Sequence, residues 1–307
     1  MADAKLTLFQ YTFSAMGTLC DVQLYCRDQG KAKRVAEQVI ADIRRLELRY
    51  SRYRDDSFLS TINSVAQTGG SIEVDDETAS LLDYAETCYH ESDGLFDISA
   101  GLLRKAWRLD AGRLPDPSQI NALLDKIGWN KLSWQKPILA FPLAGMELDF
   151  GGIVKEYAAD RAAALCCAQD IMHGVVNLGG DIKIIGPHPN GKPWRIGIKH
   201  PRKKDSVITT VELSHGALAT SGDYERCILI GEKRYGHIIN PVSGWPVQHL
   251  ASVSVIADLC VIAGSASTIA MLKEAQGPAW LKQLGLSHLW VDTQGNSSFS
   301  MESTSSI

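Results

Sequence analysis

The sequence predicts an α+β fold, and three observations lead there. Helical patterns cluster early in the chain and strand patterns late. No regular βαβ alternation joins them, which argues against a doubly wound sheet. No internal repeat, low-complexity tract or clear linker divides the 307 residues, so the expectation is a single domain over 1–307 whose lobes share the chain closely.

Each element has its own signal. Residues 5–14 and 18–26 alternate as strands and break at Met16-Gly17-Thr18. Val35, Ala36, Val39, Ile40, Ile43 and Leu46 recur at helical spacing over 31–50, and Leu81, Leu82, Tyr84 and Ala85 form the apolar stripe of a helix over 75–91. Pro115-Asp116-Pro117 fits a turn or helix start before 118–126. Short strands joined by turns are expected from Trp129 to Asp149, then an alanine-rich helix over 151–169. Strand signals run from Gly174 to Leu213 and from Ala217 to Ile239, with turns at 187–191, 214–216 and 241–244. A strand at 252–257, a buried helix at 261–274, a helix near 278–284 and two terminal strands complete the set, and 299–307 reads as a disordered tail.

Composition narrows the function classes. Hydrophobic content of 45% with 21% charged residues is ordinary for a soluble enzyme. A net charge of −4 provides no broad basic field and argues against nucleic acid as a partner. The seven cysteines form no CxxC pair, and their odd number fits poorly with a complete disulfide framework. No apolar run reaches the roughly 18 residues of a spanning helix, and the N-terminus lacks the pattern of a signal peptide. The expectation is a cytoplasmic protein in a reducing compartment.

The segment Asp149-Phe150-Gly151-Gly152-Ile153-Val154-Lys155-Glu156-Tyr157 is the most informative in the chain. It sets a carboxylate, two glycines and a lysine at a helix start, where unpaired N–H groups favour an anion such as a phosphate or pyrophosphate. An ordinary polar strand-to-helix turn would read the same. Other polar, Gly-containing loops share that ambiguity. Met16-Gly17-Thr18 is a glycine bulge or a backbone passing tight against a flat ligand. In 51–57, Tyr53 either stacks on an aromatic ring or belongs to a loop of caps and solvated arginines. Asp93-Gly94-Leu95-Phe96-Asp97 stops a helix or binds ribose hydroxyls or a ring edge. Asn177–Asp181 and Thr220–Tyr224 read as hairpin turns or as site loops. In Tyr235–Pro241, His237 is either a structural histidine or a titrating base. No nucleophile elbow, Walker motif or zinc spacing is present.

Taken in order, these motifs together with Pro193-Trp194 and Ser267-Thr268 resemble the ApbE family of FAD:protein FMN transferases, over roughly residues 10–275. The resemblance implies two intimately joined α/β lobes with FAD between them. It implies magnesium-assisted cleavage of the FAD pyrophosphate, transfer of FMN to a Thr or Ser hydroxyl of an acceptor protein, and release of AMP. Carried onto this chain, Met16, Tyr53, Leu95, Phe96, Asp97, Asp149, Lys155 and Ile239 match positions near FAD. Lys155 would neutralise phosphate and His237 would help the acceptor hydroxyl lose its proton. Gly152, through its carbonyl, and Thr268 match metal positions, with Ser267 a substitute ligand.

Two departures stand out. The family commonly reads Ala-Asp-Ala-x-x-Thr where this chain has Ala263-Gly264-Ser265-Ala266-Ser267-Thr268, so a metal-binding carboxylate is missing at Gly264. Water, Ser265 or Ser267 would have to replace it, or magnesium binding is lost. A non-catalytic FAD-binding protein and an FAD pyrophosphatase giving FMN and AMP are the alternatives. The second departure is Lys155-Glu156 in place of Lys-Gly. Glu156 either repels phosphate or supplies a new carboxylate.

Overall fold

The computed structural model describes residues 5–107, 113–224, 227–231 and 233–301. A hairpin of β1 (Thr7–Ala15) and β2 (Thr18–Cys26) leads into the long helix α1 (Gln29–Tyr50). Next come α2 (Phe58–Thr68), β3 (Gly70–Glu73) and α3 (Asp76–Glu91). A 3-10 helix (Ile98–Lys105), α4 (Pro117–Leu124), β4 (Ser133–Gln135) and β5 (Ile138–Phe141) precede the central helix α5 (Val154–Ala168). The strands β6 (Gly174–Leu178), β7 (Asp181–Gly186), β8 (Trp194–Lys199) and β9 (Val207–Leu213) follow. Then come β10 (Ala217–Gly222), β11 (Cys227–Ile230), β12 (Lys233–Gly236) and β13 (Leu250–Ala257). The chain closes with α6 (Cys260–Leu272), α7 (Gly277–Gln283), β14 (Ser287–Asp292) and β15 (Ser297–Ser300).

Eight strands make one antiparallel sheet in the order β1-β2-β6-β7-β10-β13-β14-β15. The pairing of β2 with β6, from Cys20↔Leu178 to Leu24↔Gly174, stitches the N-terminal hairpin to strands that follow α5. Helices α1, α5 and α6 lie side by side on one face, with α5 against β6 and β7 and α6 against β10 and β13. Period-two alternation serves both faces. Val176, Ala217 and Ala219 join the helix-side core, whereas Val175 and Leu218 turn to a second core capped by Trp194, Ile196 and Ile198 of β8. In β13 a bulge between Leu250 and Ser252 reverses the phase, so Ala251 faces the second core and Val253 and Val255 the first. On α5 the buried face is Ala158, Ala159, Ala162 and Ala163, small enough to bring the helix close to the sheet.

Several elements differ from the sequence reading. Helix α2 was not expected, because its serines and threonines are weak helix formers; Ser57 caps it by accepting the Ser60 N–H at 3.0 Å. Met16-Gly17 is no bulge but a two-residue hairpin turn with φ of 53° and 71°, since Ala15 pairs directly with Thr18. Thr220 and Ser221 lie within β10 rather than in a turn. The tail expected from 299 begins inside β15, where Phe299 pairs with Leu289 and Ser300 with His288; residues 302–307 lie outside the described residues. None of the seven cysteines is in a disulfide, and no described helix is long and apolar enough to cross a membrane.

An ion network locks three helices together. Arg45 of α1 forks onto Glu77 of α3 at 2.6 and 2.8 Å, and Arg161 of α5 donates to Asp42 of α1 at 2.9 Å. The Arg45 guanidinium holds the Glu77 carboxyl below its usual range. Burial works to raise the Asp42 carboxyl, but Arg161 and Arg45 outweigh it and lower it. A depressed carboxyl stabilises the fold fully above its unfolded pKa, about 4, and the gain is lost as pH falls through the lower folded value. Glu77→Gln is therefore expected to cost about 0.5–1 kcal/mol at neutral pH, with allowance for partial exposure. Urea denaturation should show that deficit shrinking near about pH 3; a deficit equal at both pH values would contradict the network.

Candidate active site at the start of helix α5

The turn Phe150-Gly151-Gly152-Ile153 feeds α5 through bonds from the Ile153 and Val154 N–H groups to the Phe150 carbonyl, 2.9 and 3.0 Å. No side chain caps the helix at Ile153. Asp149 instead accepts the Gly151 N–H at 2.9 Å and pairs with Arg52. Arg52 also donates to the Tyr53 hydroxyl at 2.8 Å, and its guanidinium lies 4.9 Å from the centroid of that ring. Tyr53 is 74% exposed, an aromatic face displayed at the surface.

The first turn of α5 carries a buried charge junction. The Lys155 ammonium lies 2.5 Å from Asp181 Oδ2, close enough to pair the charges though outside hydrogen-bonding geometry. Asp181, only 3% exposed, accepts the Thr220 N–H through Oδ1 at 3.2 Å. Glu156 is 7% exposed and packs onto Gly264 of α6. Burial, reinforced by the neighbouring Asp181, pushes the Glu156 carboxyl up to about 8. Glu156 Oε2 and Asp181 Oδ2 accept no hydrogen bond. Beside them Ser221 Oγ of β10 stands 2.7 Å from Ser267 Oγ and 2.8 Å from Thr268 Oγ1. Two buried carboxyl groups, Asp181 paired with Lys155 and Glu156 with an oxygen that accepts no hydrogen bond, lie with three hydroxyls in a set of hard oxygen donors that fits magnesium. Ser265 is committed elsewhere, 2.7 Å from the Tyr84 hydroxyl of α3.

The remaining expected residues are spread around this junction. A Cβ on Gly152 would lie 3.2 Å from Phe96, so glycine there lets the buried Phe96 ring pack under the turn. Leu95 packs on the main core. Asp97 accepts from Ser99 N, Ser99 Oγ and Trp129 N at 2.8, 2.6 and 2.9 Å, and burial pushes its carboxyl up; this carboxylate ties the loop together. The Met16 N–H donates to Glu47 at 2.6 Å. A cleft of about 400 Å³ opens beside it, lined by Ala15, Gly17, Thr18 and Glu47. A second, of about 420 Å³ around Tyr25, Arg27, His188 and Asn190, contains none of the expected residues.

His237 is exposed on the bend after β12. Its neighbour Gly236 packs on Asp223, which Arg202 grips with two 2.6 Å bonds. Asp223 follows directly on β10, so that strand links the Ser221 hydroxyl to the backbone beneath His237. Asn240 orders the loop beyond by accepting the Val242 and Ser243 N–H groups at 2.8 and 3.1 Å, and Ile239 packs with Trp107 and Tyr235. The structure thus gathers Asp149 with Tyr53, and Lys155 in a junction shared with Ser267 and Thr268, while His237 and Ile239 occupy a separate loop. The sequence reading assigned no site role to Arg52, Asp181 or Ser221. Asp181 and Ser221 sat in motifs already singled out, and Arg52 adjoins Tyr53.

The ApbE family model matches residues 16–290, from the Met16 turn to beyond Thr268. The chain belongs to the ApbE family. An FAD:protein FMN transferase from Rhodobacter capsulatus is 29% identical over 286 residues, covering 90% of this chain and 53% of that protein. The chain therefore spans about half the length of that relative. Another, from Treponema pallidum, is 29% identical over 295 residues, covering 85% and 80%. Among solved structures, the ApbE protein of Thermotoga maritima superposes with a TM-score of 0.87 at 31% identity, covering 96% of this chain and 97% of that one. The apo form of the flavinyl transferase ApbE from Pseudomonas stutzeri gives a TM-score of 0.86 at 27% identity, covering 98% and 96%. The α+β fold expected from the sequence is that of these ApbE structures.

If Lys155 balances Asp181, removing its charge strands a buried carboxylate. Lys155→Met is expected to lower the melting temperature and weaken FAD binding. Adding Asp181→Asn should restore the melting temperature but not the FAD affinity. Recovery of both would show that Lys155 serves the fold alone.

Proposed function

We propose that this chain transfers FMN from FAD to a Thr or Ser hydroxyl of an acceptor protein and releases AMP. The observation that carries the reading is the convergence of the α5 N-terminus, the Lys155–Asp181 pair and the Ser267–Thr268 hydroxyls in one junction of an ApbE-family chain. FAD carries a pyrophosphate dianion, and the positive dipole end of a helix beside a lysine favours that charge. The exposed Tyr53 ring offers a stacking face for a flat ring, with Met16, Leu95, Phe96, Asp97 and Ile239 as further FAD contacts. Asp149 holds the glycine turn in shape by accepting the Gly151 N–H.

In this reading the Gly152 carbonyl, Ser267 and Thr268 would hold magnesium. The bound ion would neutralise charge on the pyrophosphate oxygens. His237, exposed on an ordered loop, accepts the proton of the incoming hydroxyl. A new P–O bond joins the acceptor oxygen to the FMN phosphorus as the pyrophosphate bond to AMP breaks, and AMP leaves with the bridging oxygen.

The test is incubation with FAD, magnesium and an acceptor domain carrying a threonine flavinylation motif, read as flavin fluorescence on denaturing gels. His237→Ala should slow transfer by about 10²–10⁴-fold with FAD affinity little changed, whereas Asp149→Ala should weaken FAD binding itself. No covalent flavin from the wild-type chain, with only free FMN and AMP formed, would replace transfer by hydrolysis. Equal loss of FAD binding in both variants would undo the assignment of His237.

A further inference from the structure

We propose that Glu156 supplies the metal-ligating carboxylate of this site, reaching from α5 into the space that Gly264 leaves open on α6. The inference rests on the reading of the junction as a site for FAD with a divalent cation.

Three observations support it independently. First, Glu156 is 7% exposed and its Oε2 accepts no hydrogen bond. A buried carboxylate oxygen without a donor is expensive unless another partner reaches it. Asp181 beside it is paired with the Lys155 ammonium through Oδ2, whereas Glu156 Oε2 accepts no hydrogen bond. A divalent cation bound there would hold the Glu156 carboxyl in its charged form against burial and the neighbouring Asp181.

Second, Gly264 has no conformational reason to be glycine. It lies in the interior of α6 with helical backbone, where glycine is a poor choice. Its surroundings supply the reason. A Cβ there would lie 2.5 Å from Glu156 Cγ, 3.0 Å from Cδ and 3.1 Å from Oε1. Any side chain at 264 would evict the Glu156 carboxylate, so the two residues form a steric pair.

Third, the direction is right. Ser267 and Thr268 lie three and four residues after Gly264, on the same face of α6, and Ser221 bridges them. The carboxylate entering at Gly264 therefore arrives beside those hydroxyls. The two positions where the chain leaves the family pattern are in contact, and each accounts for the other. Gly264→Asp alone would not restore the missing carboxylate, because that side chain would collide with Glu156.

The test is a titration of Mn²⁺, followed by its paramagnetic resonance, into protein saturated with FAD. FAD affinity without metal is measured separately, and circular dichroism checks folding. Glu156→Gln, which keeps the shape and removes the charge, is expected to weaken Mn²⁺ by at least the loss seen for an outer-shell partner, about 10–100-fold, with metal-free FAD affinity little changed. The paired exchange Glu156→Gly with Gly264→Asp is expected to restore Mn²⁺ affinity, while Gly264→Asp alone should destabilise the fold. Wild-type Mn²⁺ affinity in Glu156→Gln overturns the inference and leaves a structural carboxyl; if the paired exchange fails to fold, that single variant still decides. Wild-type protein that binds FAD but no Mn²⁺ overturns it as well, with the FAD reading intact. Failure to bind FAD at all removes the functional reading beneath it.

Discussion

Charges buried between packed elements are tolerable only where those elements keep a fixed separation. In this chain Lys155, Glu156 and Asp181 impose that condition on α5, α6 and β7. The packing meets it with small residues. Ala158, Ala159 and Ala162 of α5 and Ala263, Ala266 and Ala270 of α6 are buried with almost no exposed area. Asp160 of α5 then accepts the Cys260 and Val261 N–H groups at 2.8 and 2.9 Å, capping α6 from its neighbour. Lys183 of β7 pairs with Asp160 and donates to the Asp258 carbonyl, closing the link to the sheet. The junction is therefore held by a helix-to-helix cap and by close alanine contacts.

Around that fixed centre the chain places its more accessible groups on turns and loops. Tyr53 stands on the turn before α2, His237 on the bend after β12, and Met16 on the first hairpin turn. Rigid elements thus carry the ionic groups and loops carry those that would meet large partners, a common division in enzymes. Strand β10 connects the two, with Ser221 in the hydroxyl cluster and Asp223, gripped by Arg202, beneath the histidine loop. A shift of β10 would move both at once.

Much of this was legible in the sequence, and the exceptions have physical causes. The helix α5 and the strands around it follow from alanine content and period-two alternation, both local signals. Helix α2 escaped because its stability comes from the Ser57 cap and from burying Leu59 and Ile62 against the core, not from intrinsic propensity. Ser221 was misplaced in a turn because Thr220-Ser221-Gly222 has turn chemistry, overridden by pairing of these three residues with Ser254, Val253 and Ser252 of β13. The relation of Glu156 to Gly264 had no local trace at all. Each was visible as a departure, but only the packing of α5 on α6 puts them in contact. Asp97 shows the converse, a carboxylate that looked free for a ligand and is largely occupied in tying its own loop.

The account depends on FAD and a divalent cation meeting at the α5–α6 junction. A calorimetric titration of FAD into the purified protein, with and without magnesium, tests that most directly. The account requires tight binding that strengthens when magnesium is present. Binding that ignores the metal would contradict a pyrophosphate–metal site and leave a flavin-binding protein without the transfer chemistry.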